Sequence, residues 1–135
     1  MFDTGGGNTE GAFALGALIH KVGFNTGVAA NGTCASACVV IWAAGVRKSA
    51  SATSHIGVHG ASMDQNKLSA REKQTAPLYE SLSTLKIAQQ LHLYGAPDKV
   101  VVQTIMTPSN DMYWLTAEDA AAWEVNVVPP PAAAE

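Results

Sequence analysis

The sequence predicts an α/β domain with largely parallel strands. Two observations lead there. Short runs of strand character alternate with stretches of helical period, and glycine or proline marks most of the junctions between them. One stretch, Ala35–Ala44, is small and apolar all round, as a buried helix is.

The elements follow in order. Ala12, Leu15, Ile19 and Val22 recur at helical spacing, with Phe13 and Leu18 widening the stripe, so Thr9–Val22 reads as a helix capped by Gly23. Asn25–Ala30 reads as a short buried strand and Asn31-Gly32 as a turn. The buried helix Ala35–Ala44 then stops at Gly45, and a second strand is expected at Ser54–Val58. A polar loop covers Gly60–Lys67. Leu68–Leu93 is the longest helical stretch, with a broad apolar face of Leu78, Leu82, Leu85, Ile87, Ala88 and Leu91 and a kink or fresh start at Pro77. Pro97 suits the first turn of another helix, reaching about Met106. Thr107-Pro108-Ser109-Asn110 is a turn and Met112–Leu115 an extended piece. Thr116 can cap a helix Ala117–Trp123, with Glu118 and Asp119 near its positive end. Glu124–Val128 is a candidate closing strand. Residues 1–128 form one domain, and Pro129-Pro130-Pro131 opens a short disordered tail over 129–135.

Bulk properties narrow the function. With 135 residues, 47 % hydrophobic and 14 % charged, the chain can bury a core. A net charge of −3 and the lack of a basic run argue against nucleic acid as a partner. The apolar runs are too short and too interrupted to span a bilayer, and no signal peptide is visible at the start. The glycine cluster Gly5-Gly6-Gly7 comes almost at once, although such turns normally follow a strand; one or more N-terminal strands, and an export signal, are expected to be missing. Cys34 and Cys38 alone are too few for a zinc site. They are either two small buried residues or a disulfide, and a disulfide would place the chain in an oxidising compartment. No metal or organic cofactor is implied.

The chemistry centres on Ser36, in Gly32-Thr33-Cys34-Ala35-Ser36-Ala37-Cys38. A small-residue turn between a strand-like run and a helix can present a serine hydroxyl and the next backbone N–H on one side, which acyl transfer needs. His59 ends the later run Ile56-Gly57-Val58-His59, and histidine is the residue type suited to accepting a serine proton. His55 is the alternative base on the same strand face. His20 and His92 fall on helices and read as surface or packing residues, and Trp114 and Trp123 as core or subunit-contact residues. The glycine cluster lacks the lysine and hydroxyl residue of a phosphate-binding loop.

The ordered set of motifs resembles the ClpP/crotonase superfamily, specifically ClpP-like serine peptidases. A glycine pair opens a helix; then come a short strand, the serine turn, a helix ending Ala43-Ala44-Gly45, a strand ending in histidine, and Leu115-Thr116-Ala117-Glu118-Asp119-Ala120. The match runs over roughly residues 4 to 128. The Cys34-to-Cys38 segment and Met112–Thr116 look most like poorly characterised ClpP-like proteins predicted to be periplasmic. The resemblance implies a fold of ββα-type superhelical repeats. It implies Ser36 as nucleophile, His59 as general base, and an oxyanion hole from the N–H groups of Ala37 and of Gly6 or Gly7. The family's aspartate falls near Pro108 or Ser109, neither of them a carboxylate; Asp111 is the nearest candidate, with Asn110 as an alternative orienting group. The resemblance also implies a peptide or protein substrate and a homo-oligomer, a trimer or a hexameric or heptameric ring, built on the Pro77–Leu93 helix. Two other readings remain open: a crotonase-like enzyme holding an acyl-thioester enolate, and a non-catalytic assembly module. A serine–lysine dyad would have to draw on Lys48 or Lys67.

Overall fold

The computed structural model describes residues 9–129. The chain runs α1 (Thr9–Val22), β1 (Thr26–Val28), β2 (Thr33–Ala35), α2 (Ala37–Ala43), β3 (Lys48–Ser51), β4 (His55–Val58), a 3-10 turn (Gln65–Lys67), α3 (Ala70–Leu93), α4 (Asp98–Met106), β5 (Tyr113–Trp114), α5 (Ala117–Ala122) and β6 (Asn126–Val128). Gly5-Gly6-Gly7 and the tail beyond Pro129 lie outside the described residues.

The strands form two three-stranded sheets, ordered β1-β3-β6 and β2-β4-β5. Each neighbouring pair is parallel except β4 with β5. The first four strands alternate between the sheets, so the chain steps back and forth across the core.

Helix α2 fills that core. Ala37, Cys38, Val39, Val40, Trp42 and Ala43 are all buried. The Trp42 indole N–H, buried with its ring, donates to the Ser49 carbonyl at 3.0 Å, and the ring meets Trp123 edge-on at 5.2 Å. Helix α1 packs on α2 with Gly16 facing Val40 and Ala44. Gly23 then ends α1 with φ 86°, and its N–H and that of Phe24 both reach the Ile19 carbonyl.

The structure differs from the sequence expectations at four places. The buried helix starts at Ala37, because Thr33–Ala35 pairs with His55–Gly57 as a strand. Lys48–Ser51, unread in the sequence, is the central strand of its sheet. Helix α3 runs unbroken through Pro77, starting at Ala70, where Ser69 and Glu72 form a reciprocal capping box. Pro77 is exposed, so water can satisfy the carbonyl that loses its helical partner. The broad apolar face of α3 divides in two: Ile87, Ala88 and Leu91 are buried, whereas Leu78, Leu82 and Leu85 face out.

Candidate active site

Ser36 is the one residue between β2 and α2. Its backbone has φ 57° and ψ −120°, the angles of the first central position of a type II′ turn, where glycine is at home. A residue with a side chain pays about 1–3 kcal/mol for such a place. Neighbouring bonds hold it there. The Ser36 N–H donates to the Gly57 carbonyl at 3.1 Å, and the Ser36 carbonyl accepts from Val39 N–H at 3.0 Å. The hydroxyl makes no helix-capping bond, and the residue is half-buried. Ala37, the first residue of α2, gives its carbonyl rather than its N–H to the helical ladder. Cys34 and Cys38 form a disulfide across this turn, with Cα atoms 5.3 Å apart.

His59 comes directly after β4. Strands β2 and β4 are parallel neighbours, with Ala35 opposite Gly57, so Ser36 and His59 both emerge beyond the carboxyl ends of adjacent strands. Ligand sites of open α/β sheets form at such ends. His59 Nδ1 lies 2.6 Å from the Gly60 carbonyl oxygen. A carbonyl can only accept, so Nδ1 carries the proton and Nε2 is left as the acceptor. Gly60 is fixed in turn: its N–H donates to the Thr107 carbonyl at 2.9 Å. The next residue, Ala61, donates its N–H to Thr84 Oγ1 at 2.8 Å. Thr84 and Thr107 thus pin the chain after His59 to α3 and to the turn beyond α4. Neither stands out in the sequence, because Thr107 acts here through its main-chain carbonyl and Thr84 through one hydroxyl on a helix.

No hydrogen bond joins Ser36 and His59 among the described residues. Asp111 uses its carboxylate locally, accepting the Met112 N–H at 2.8 Å. Asn110 and Asp111 are exposed in the turn before β5. The antiparallel register sets Trp114 opposite Gly57 and Tyr113 opposite Val58, which brings Met112 level with His59. Met112 and Trp114 cover Gly57 so closely that a Cβ there would lie 2.7 Å from both side chains. This apolar pair borders the strand that binds the Ser36 N–H.

The other candidates sit apart. His55 is exposed and meets Trp114 edge-on at 5.9 Å. His20 packs on Tyr94 at 5.3 Å. Lys48 donates to the Gly45 carbonyl at 3.0 Å, and its partial burial lowers its pKa. Lys67 is exposed in the 3-10 turn. Trp114 is largely exposed, whereas Trp123 is buried in the core. Among the described residues no grouping of side chains could hold a metal ion, and no helix is long and apolar enough to cross a membrane.

A solved structure of a mutant ClpP1 from Listeria monocytogenes superposes on this chain with a TM-score of 0.66. It covers 93 % of this chain and 70 % of its own, at 14 % identity. The fold is ClpP-like. At that identity the likeness speaks for the fold alone. No protein-family model and no curated protein matches the sequence. In the ClpP-like fold of this chain, the serine turn and the histidine-ending strand are neighbours.

Proposed function

We propose that this chain is a serine hydrolase acting on peptide bonds through an acyl-enzyme on Ser36. The observation that carries the reading is the backbone of Ser36: a strained, glycine-like conformation at a strand-to-helix junction, one parallel strand away from His59. Strain of this kind concentrates where function requires it. Ser36 Oγ attacks the substrate carbonyl carbon while Nε2 of His59 takes the hydroxyl proton. The Ala37 N–H, with an amide of Gly6 or Gly7, holds the oxyanion. His59 returns the proton to the leaving amine, and water, deprotonated by His59, then releases the acyl group and regenerates Ser36.

Two forms of the site differ in what orients the imidazole. In one, Asp111 leaves the Met112 N–H and completes a triad. In the other, the Gly60 carbonyl does the orienting and the site works as a dyad. Asp111→Asn separates them: the triad form expects kcat to fall about a thousandfold or more, the dyad form expects no change.

The first test is labelling of the purified protein by a fluorophosphonate, with mass spectrometry to locate the adduct and Ser36→Ala as control. An adduct on Ser36 alone is the expected result; a folded sample that takes none overturns the reading. One observation favours a second reading, a non-catalytic assembly module: the serine and histidine are not hydrogen-bonded to one another. Sites of this kind often tighten only around substrate, which keeps the hydrolase first. Self-assembly into a homo-oligomer suits either reading, through the outward rows of α3 and α4. A disulfide beside the nucleophile suits an oxidising, periplasm-like compartment.

A further inference from the structure

A strained backbone persists only where its surroundings over-determine it. At Ser36 two main-chain bonds contribute, to Gly57 and from Val39. Neither alone dictates the angle between β2 and α2. The disulfide does. Cys34 lies in β2, Cys38 in the first turn of α2, and the two flank Ser36 symmetrically. Their bond closes a small covalent ring that contains Ser36 and both its peptide neighbours.

The location argues for a local role. Cross-linking residues so close in sequence restricts the unfolded chain less than a long-range bond would, so the constraint acts mainly on the turn it encloses. Cys34 and Cys38 are 0 % and 2 % exposed, which shields the bond from thiols in solution and keeps the clamp closed. The elements it joins are short, three residues of β2 and seven of α2, and offer little rigidity of their own at the junction.

We propose that the Cys34–Cys38 disulfide is a positioning clamp for Ser36. It holds the strand–serine–helix turn in the one conformation that sets Ser36 Oγ and the Ala37 N–H on the same side. Cys34 and Cys38 touch no substrate; they act through the serine. The proposal rests on the serine-hydrolase reading for its catalytic consequence, not for its geometry.

The test compares the native chain with Cys34→Ala/Cys38→Ala, well below both thermal midpoints. Amide hydrogen exchange reads the turn at the Ser36 and Val39 N–H groups, with Leu91 and Val100 as distant references. Fluorophosphonate adduct formation at Ser36 reads the reaction. The clamp expects exchange at Ser36 and Val39 to quicken about tenfold or more, the references to hold, and adduct formation to slow by a similar factor. A lower thermal midpoint with unchanged exchange and labelling means a merely structural bond and overturns the proposal. A native chain that takes no adduct, while exchange at the turn still responds, overturns the hydrolase reading and leaves the clamp supported. If the double variant does not fold, the native chain unfolded, reduced and refolded in phosphine replaces it, with loss of the bond checked by mass and with the same expected and overturning results.

Discussion

At the residue scale, Ser36 joins a chemical choice to a backbone one. Its angles suit glycine, and the chain keeps a hydroxyl there instead. Ser36→Gly should therefore raise the thermal midpoint by about 3–5 °C, as roughly 1 kcal/mol of strain is released. Ser36→Ala should raise it little, because its Cβ keeps the strain; both should lose adduct formation. Calorimetry with labelling on the same samples checks this, and a Ser36→Gly variant no more stable than the native chain would remove strain from the account. The serine was legible in the sequence because small residues on both sides make a tight turn. Its φ was not, because no composition rule separates a strained serine from a relaxed one. His59 was legible as the end of an apolar strand, but its partner is a main-chain carbonyl, and carbonyls leave no mark in a sequence. Asp111 shows the converse: closeness along the chain said nothing of direction, and a turn aspartate readily bonds its own backbone.

At the scale of elements, the first turn of α5 carries a buried carboxylate that ties it to β5. Asp119 is 3 % exposed. It accepts the Tyr113 hydroxyl at 2.6 Å and the Thr116 N–H at 3.0 Å, and Lys99 Nζ lies 3.8 Å away. Burial alone would raise its pKa; the bonds from Thr116 and Tyr113 and the charge of Lys99 outweigh that and leave it below the ordinary 3.8. Burial and the bond to Asp119 in turn raise the Tyr113 pKa. A depressed carboxylate stabilises the fold above its unfolded pKa, and that stability is lost as pH falls through the folded value. Thermal midpoints should thus drop steeply below about pH 4 in the native chain and less steeply in Asp119→Asn. At pH 7 that variant should be destabilised by about 1–3 kcal/mol, because the oxygen that accepts from Tyr113 and Thr116 loses its charge and the amide NH2 in place of the other oxygen faces the Lys99 ammonium. Equal pH slopes for the two proteins would sink the assignment. The Thr116 cap was legible in the sequence; the tyrosine and lysine come from other segments and were not. Strands β2 and β3 carry no signature of their own for a related reason. Thr-Cys-Ala and Lys-Ser-Ala-Ser show no apolar alternation, and they are strands because parallel neighbours pair with them.

At the scale of the molecule, apolar side chains remain outside. Leu78, Leu82 and Leu85 line one side of α3, and Val102, Ile105 and Met106 project from α4, each at least 44 % exposed. So large an outward apolar surface commonly marks an interface. Helical period alone groups the α3 leucines with the buried residues, because it cannot tell a core from a second, outer contact. Leu82→Glu/Leu85→Glu should yield monomers by light scattering with the helix content unchanged; a monomeric native chain, or an assembly indifferent to the two charges, would refute an interface there. The topology was legible only as alternating strands and helices. The division into two sheets was not, since three of the four pairings skip over an intervening strand. That division also sets an order of events during synthesis. Strand β4 follows β2 closely, but its other neighbour, β5, lies beyond both α3 and α4. A growing chain can bring Ser36 beside His59 well before Met112 and Trp114 leave the ribosome. The half-built sheet must wait with one edge of β4 unpaired, and folding is slowed by the long chain that must close behind it.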